Sequence, residues 1–224
     1  MNALYQTALW DLLEYKPLWT LTLKGWFMVL SLAAPAIAVF IMGIQRFLCL
    51  AKPIAAEVLV VEGWLRDEAI AGALQEFHRG SYQLLITTGV PLNRGIYLSE
   101  YQTFAELAAA TLIRLGFAPD KLVAVSAPKV LRDRTLTTAI AVRDWLGQAN
   151  LEIRGINVYS FDVHTRRTWL LYRRVLEPRL RVGAIAYHSP DYPPHRWWAQ
   201  SGSVRDVMSE TIAYLYVKFI NWRA

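Results

Sequence analysis

Five times in this sequence a short run rich in Val, Ile and Leu is followed by a segment whose apolar residues recur at helical spacing, and that alternation narrows the fold more than any other feature. The runs are Glu57–Val61 (EVLVV), Leu84–Thr88 (LLITT), Leu122–Val125, Ile153–Tyr159 and Val182–Tyr187. The helical segments are Asp67–Arg79, a helix opened by Ser99 with Gln102 completing a capping box, Arg134–Leu146, His164–Val175 and Val204–Ile220. In the last of these, Val204, Val207, Met208, Ile212, Leu215, Tyr216 and Phe219 form the stripe expected to face a core. Strands alternating with helices imply a mostly parallel sheet covered on both faces. The expectation is an α/β, Rossmann-like three-layer domain over residues 55–222 with five strands. In open sheets of this kind, ligands bind beyond the carboxyl ends of the strands.

Ahead of that domain, Gly25–Ile44 (GWFMVLSLAAPAIAVFIMGI) holds twenty residues without a charge, enough to cross a hydrocarbon core of about 30 Å. Lys24 and Arg46 flank it, and Trp19 and Trp26 fall where an interfacial aromatic belt would lie. Pro35 is tolerated in such a helix. A cleaved signal peptide fits less well, because the run starts late and no small-x-small site ends it. Residues 25–48 are therefore predicted to span a membrane once. Residues 1–24 form an N-terminal segment in which 3–15 read as an interfacial helix. Lys16 and Lys24 before the span balance Arg46 and Lys52 after it, so positive charge does not decide the orientation.

Composition removes several function classes. The chain is 54% hydrophobic with 9 Trp and 11 Tyr, which argues against disorder. Its formal net charge of +6 is dispersed rather than gathered into a tail or stripe, so no nucleic-acid partner is expected. No G-x-G-x-x-G, Walker A or G-x-S-x-G motif occurs. The four His lack zincin spacing, and the single cysteine, Cys49, precedes the domain, so no metal is expected.

What remains lies at the predicted strand ends. Glu62, Gly63 and Trp64 follow the first strand; Thr88 and Gly89 close the second; Arg132, Asp133, Arg134 and Thr135 open the third helix; His164 and Arg167 follow the fourth strand. Helix N-termini and Arg together favour anions. Arg134, Thr135 and Arg167 are expected to form an anion clamp, with Trp64, Thr88, Gly89, Arg132 and Asp133 lining the same crevice. A carboxylate directly after a buried strand, Glu62, needs a partner, and Arg132, Arg134 or Arg167 would supply one. Glu62 and His164 are the catalytic candidates as acid–base groups. Each residue also has a structural reading: Glu62 as an ion pair, Asp133 and Ser160 as caps, His188 and His195 as surface residues.

These residues resemble the YdcF/SanA/ElyC family of bacterial proteins over roughly residues 55–220. Thr88-Gly89 matches the family's glycine loop after the second strand. Arg132-Asp133-Arg134-Thr135 looks like a variant of its turn before the third helix, and His164 with Arg167 matches its His-x-x-Arg step. Arg205 and Glu210 resemble its final helix. The sequence departs at Glu62-Gly63-Trp64, where the family is glycine-rich, and at Thr137-Thr138, where the family carries Glu-Asn. The resemblance implies an envelope or cell-wall factor linked to polyprenyl-phosphate carriers, with the domain outside the cytoplasm. It leaves open whether the domain is a hydrolase or transferase, and which cofactor it takes. The alternatives are a nucleotide or S-adenosylmethionine binder, as in a soluble branch of the family, and a non-enzymatic envelope scaffold. The expected partners are membrane lipid and a phosphorylated or lipid-linked small molecule.

Overall fold

The computed structural model describes residues 21–149, 151–188 and 194–220, with backbone only at 194 and 195. The interfacial helix expected over 3–15, and the side chain of His195, lie outside the described residues. The chain divides into two units, with the boundary inside the first helix between Ile41 and Met42.

That helix, α1 (Leu23–Leu48), is 26 residues long with Pro35 inside it, or about 39 Å at 1.5 Å per residue. Among the described residues it is the one helix long and apolar enough to cross a membrane. Leu23, Phe27 and Val39 are 87%, 76% and 67% exposed, so this is not the core helix of a globular unit. Its last turn differs. Ile44, Gln45 and Leu48 are buried within the second unit.

The second unit carries the elements β1 (Val58–Glu62), α2 (Asp67–Arg79), β2 (Leu84–Gly89), α3 (Phe104–Arg114), β3 (Leu122–Ser126), α4 (Arg134–Gln148), β4 (Gly155–Phe161), α5 (Thr165–Leu176), β5 (Arg181–Tyr187) and α6 (Ser201–Phe219). The strands form one sheet in the order β3-β2-β1-β4-β5, and every pairing is parallel. This is the predicted Rossmann-like architecture. Alternation along β1 shows the three layers. Val58 and Val60 pack with Ala139, Val142, Tyr172 and Leu176 of α4 and α5. Leu59 and Val61 pack with Ala69, Ile70, Ala73, Ala108 and Leu112 of α2 and α3. A strand buried on both faces has no polar side, which is why it reads as an unbroken apolar run.

Three local expectations are corrected. The capping box of α3 is Thr103 with Glu106, not Ser99 with Gln102. Both pairs fit the motif, but the Ser99 hydroxyl is used in a turn, accepting from the Tyr101 amide at 3.0 Å. Ser160 caps nothing; it is a buried residue of β4. The stripe of α6 faces the core only in part. Its buried side is Ser203, Val207, Tyr214 and Val217, while Met208, Ile212, Leu215, Tyr216 and Phe219 are exposed. Periodicity identifies an apolar face but not what covers it.

Strand order sets where a ligand can sit. From β1 the chain moves outward to β2 and β3, then returns to place β4 on the other side of β1. The helices leaving β1 and β4 diverge there, and a crevice opens at their carboxyl ends. Gly63, just past β1, is required by this packing, because a Cβ there would overlap the Phe104 carbonyl at the start of α3.

Candidate active site

A cavity of about 660 Å³ opens at this switch point. All ten residues singled out from the sequence line it: Glu62, Trp64, Thr88, Gly89, Arg132, Asp133, Arg134, Thr135, His164 and Arg167. Arg66, Asp206, Ser209 and Glu210 join them.

Glu62 ends β1 on the side that faces α4 and α5, and it is 2% exposed. Among the described residues, no arginine bonds to it. Ser160 donates to Oε2, and the Thr168 hydroxyl donates to the same oxygen at 3.3 Å. His164 Nε2 faces Oε1 at 3.5 Å, long for a hydrogen bond but close for a charge pair. The expected Arg partner is replaced by His164 because β1 and β4 are adjacent, which brings the turn after β4 over the end of β1.

The other edge of His164 meets α6. Nδ1 lies 2.9 Å from Glu210 Oε1. Arg167 grips the same carboxylate with two bonds, Nε to Oε2 at 2.8 Å and Nη2 to Oε1 at 3.0 Å. Such forked pairing is the strong arrangement for Arg and a carboxylate. His164 therefore stands between two carboxylates, and Trp64 closes over its ring edge-on at a centroid distance of 5.0 Å.

These contacts set the protonation states. Burial by itself would lower the His164 pKa, but the charge of Glu62, the bond to Glu210 and the contact with Glu62 outweigh it and raise the pKa to about 9. Burial would raise the Glu210 pKa; bonds from His164 and Arg167, with their charges, bring it down to about 2. Burial would raise the Glu62 pKa, but the charge of His164 and the contacts with His164, Ser160 and Trp64 outweigh it and lower the pKa. At neutral pH the network holds an imidazolium, a guanidinium and two carboxylates. His164 can donate a proton there; as a base it is spent.

A pH dependence of stability follows. The folded pKa of His164 lies above its ordinary 6.5, so its contribution is complete below that pH and is lost as pH rises through about 9. The folded pKa of Glu210 lies below 4.5, so its contribution is complete above that pH and is lost as pH falls through about 2. Thermal melts should place this network's plateau between pH 4.5 and 6.5. The decline on its alkaline side should flatten in His164→Gln.

The remaining candidates divide by what already holds them. The Thr88 hydroxyl donates to the Val125 carbonyl at 3.1 Å, a bond within the sheet. Gly89 makes room for the Phe104 side chain. Arg167 is held by Glu210. Asp133 sits at the cap position of α4 in left-handed backbone, φ 55 and ψ 36, but its side chain makes no cap bond. Among the described residues the first amides of α4 thus have no side-chain acceptor, and Arg132 and Arg134 stand exposed beside them. Neither arginine has a carboxylate partner among the described residues. Glu210, which the sequence offers only through the resemblance of its final helix, lines the cavity together with Asp206 one helical turn earlier. No protein-family model matches this chain, and no curated protein matches it; its fold and this crevice are what characterise it.

Proposed function

We propose that this chain is a membrane-anchored member of the YdcF/SanA/ElyC family, in the cell envelope, whose crevice binds the phosphate of a phosphorylated or lipid-linked ligand. The observation that carries the reading is the mouth of the cavity. Two exposed arginines without carboxylate partners, Arg132 and Arg134, flank the uncapped amides of α4 above a protonated His164. Arginine forks and helix N-termini both suit phosphate oxygens. Hydrolysis or group transfer on that ligand would use His164 as the acid and Glu62 to hold it charged.

Two features support the membrane part. One is the length and apolarity of α1. The other is the outward stripe of α6, Met208, Ile212, Leu215, Tyr216 and Phe219. Tyr214 of the same helix packs edge-on against Phe47 in the last turn of α1, at 5.4 Å. Lys218 lies over the rings of Tyr214 and Phe219, as a snorkelling lysine does at a lipid surface.

The test is equilibrium binding of a short-chain polyprenyl phosphate, and separately of inorganic pyrophosphate, to the detergent-solubilised chain. The double variant Arg132→Ala/Arg134→Ala should weaken binding at least about tenfold, and affinity should fall with salt. Unchanged affinity in the double variant would remove the phosphate reading. Binding of S-adenosylmethionine without either phosphate ligand would favour the nucleotide-type alternative.

A further inference from the structure

A second group of chemically competent side chains lies apart from the Glu62–His164 network. The residue after α1, the turn after β4 and the residue after β5 bring Cys49, Asp162 and His188 together. Cys49 Sγ is 3.0 Å from Asp162 Oδ1 and 3.4 Å from His188 Nδ1. His188 Nδ1 is 3.9 Å from the same Asp162 oxygen.

Asp162 is the unusual member. It is 1% exposed, and a carboxylate taken so far out of water is ordinarily paired with a cation or coordinated to a metal. Among the described residues no Lys or Arg reaches it. Its hydrogen bonds come from the Gln45 amide at 3.1 Å and the Cys49 thiol. A buried carboxylate whose nearest candidate charge partner is an imidazole at 3.9 Å, and the convergence of three ligand types on it, both point to a cation.

We propose that Cys49, Asp162 and His188 bind a divalent transition-metal ion of the zinc class, with a fourth position open to solvent on the side of His188. Thiolate, imidazole and carboxylate are the donors that zinc takes, at about 2.3 Å for sulfur and about 2.0–2.2 Å for nitrogen and oxygen. A tetrahedron with those radii separates its donors by roughly 3.3–3.6 Å. The observed separations of 3.0, 3.4 and 3.9 Å bracket that range. Magnesium and calcium are disfavoured, because they take oxygen ligands. Gln45 acts from the outer shell by orienting the Asp162 carboxylate. On binding, the Cys49 thiol proton passes to solvent and the sulfur–metal bond forms; no electron is transferred. Asp162 opens the turn that ends at His164, so the ion would brace the turn that presents the imidazole. Residue spacing could not reveal the site, because Cys49 lies 113 residues from Asp162 and 139 from His188.

The test uses the full chain in detergent, stripped with a chelator and titrated with Co²⁺, then with Zn²⁺ in competition. One Co²⁺ per chain should bind, with a thiolate charge-transfer band and the visible absorption of a tetrahedral ion, both erased by Zn²⁺. Cys49→Ser should abolish the charge-transfer band. His188→Ala, at an exposed position that leaves the core untouched, and Asp162→Asn should each weaken binding at least about tenfold. Thermal melts without metal identify any variant that fails to fold, and His188→Ala then carries the test. Absence of saturable Co²⁺ binding, binding without the thiolate band, or one-equivalent binding that all three variants retain would each overturn the site. None of these results bears on the phosphate reading, because Arg132→Ala/Arg134→Ala should bind Co²⁺ as the parent does.

Discussion

Replacing Glu210 by alanine should lower the stability of the domain by about 3 kcal/mol, a fall in Tm of roughly 6–12 °C for a domain of this size. The carboxylate is only 15% exposed and Arg167 only 18%, so the two charges have left most of their water. Removing Glu210 leaves the Arg167 guanidinium without its two bonds to a carboxylate and His164 without its acceptor at Nδ1. A lone buried charge costs more than the pair contributed. Glu210→Gln keeps the shape and one acceptor oxygen, and should recover part of the loss. Differential scanning calorimetry of both variants, with Arg167→Met to close a double-mutant cycle, measures the coupling. A Tm unchanged in Glu210→Ala would place the pair among surface salt bridges, which contribute little.

The second large effect is electrostatic. Glu62→Gln should lower the titration midpoint of the His164 cluster from about 9 by at least about one unit. The amide can still accept from Ser160 and Thr168 through its oxygen. Its nitrogen would then face His164 Nε2, where it favours an unprotonated ring. Desolvation, until then outweighed, would regain ground. The imidazole proton shifts followed by NMR against pH read this directly, and the midpoint belongs to the cluster rather than to His164 alone. A midpoint that does not move would mean that Glu210 sets the charge of His164, and Glu62 would then be a structural carboxylate.

The inner strands β1, β2 and β4 could be located from the sequence because they are buried on both faces, which leaves a dense apolar run. The gathering of the ten site residues was legible for the same reason: parallel strands place all their carboxyl ends on one side. Partnerships were not legible. Glu62 meets His164 rather than an arginine because β1 neighbours β4, and strand order is not written in local periodicity. Glu210 comes from a helix more than a hundred residues beyond Glu62, and the family resemblance that picked it out did not say what it meets. The α6 stripe misled for a complementary reason, since an apolar face signals burial against something without saying what. The choice between Thr103 and Ser99 as a cap turned on one hydroxyl finding a nearer amide.

The central position of β1 has a consequence for biogenesis. As the chain leaves the ribosome, β1, β2 and β3 can pair at once, since each neighbours the next. The opposite edge of β1 stays open until Gly155–Phe161 emerges, about ninety residues after β1 itself. For that interval a strand of four apolar residues ending in Glu62 presents unpaired amides and carbonyls, the kind of edge that recruits other chains. The interval ends only when β4 arrives with Ser160 and, just after it, His164. Nascent chains arrested before residue 155 should therefore be chaperone-bound or insoluble, and those arrested after α5 should be much less so.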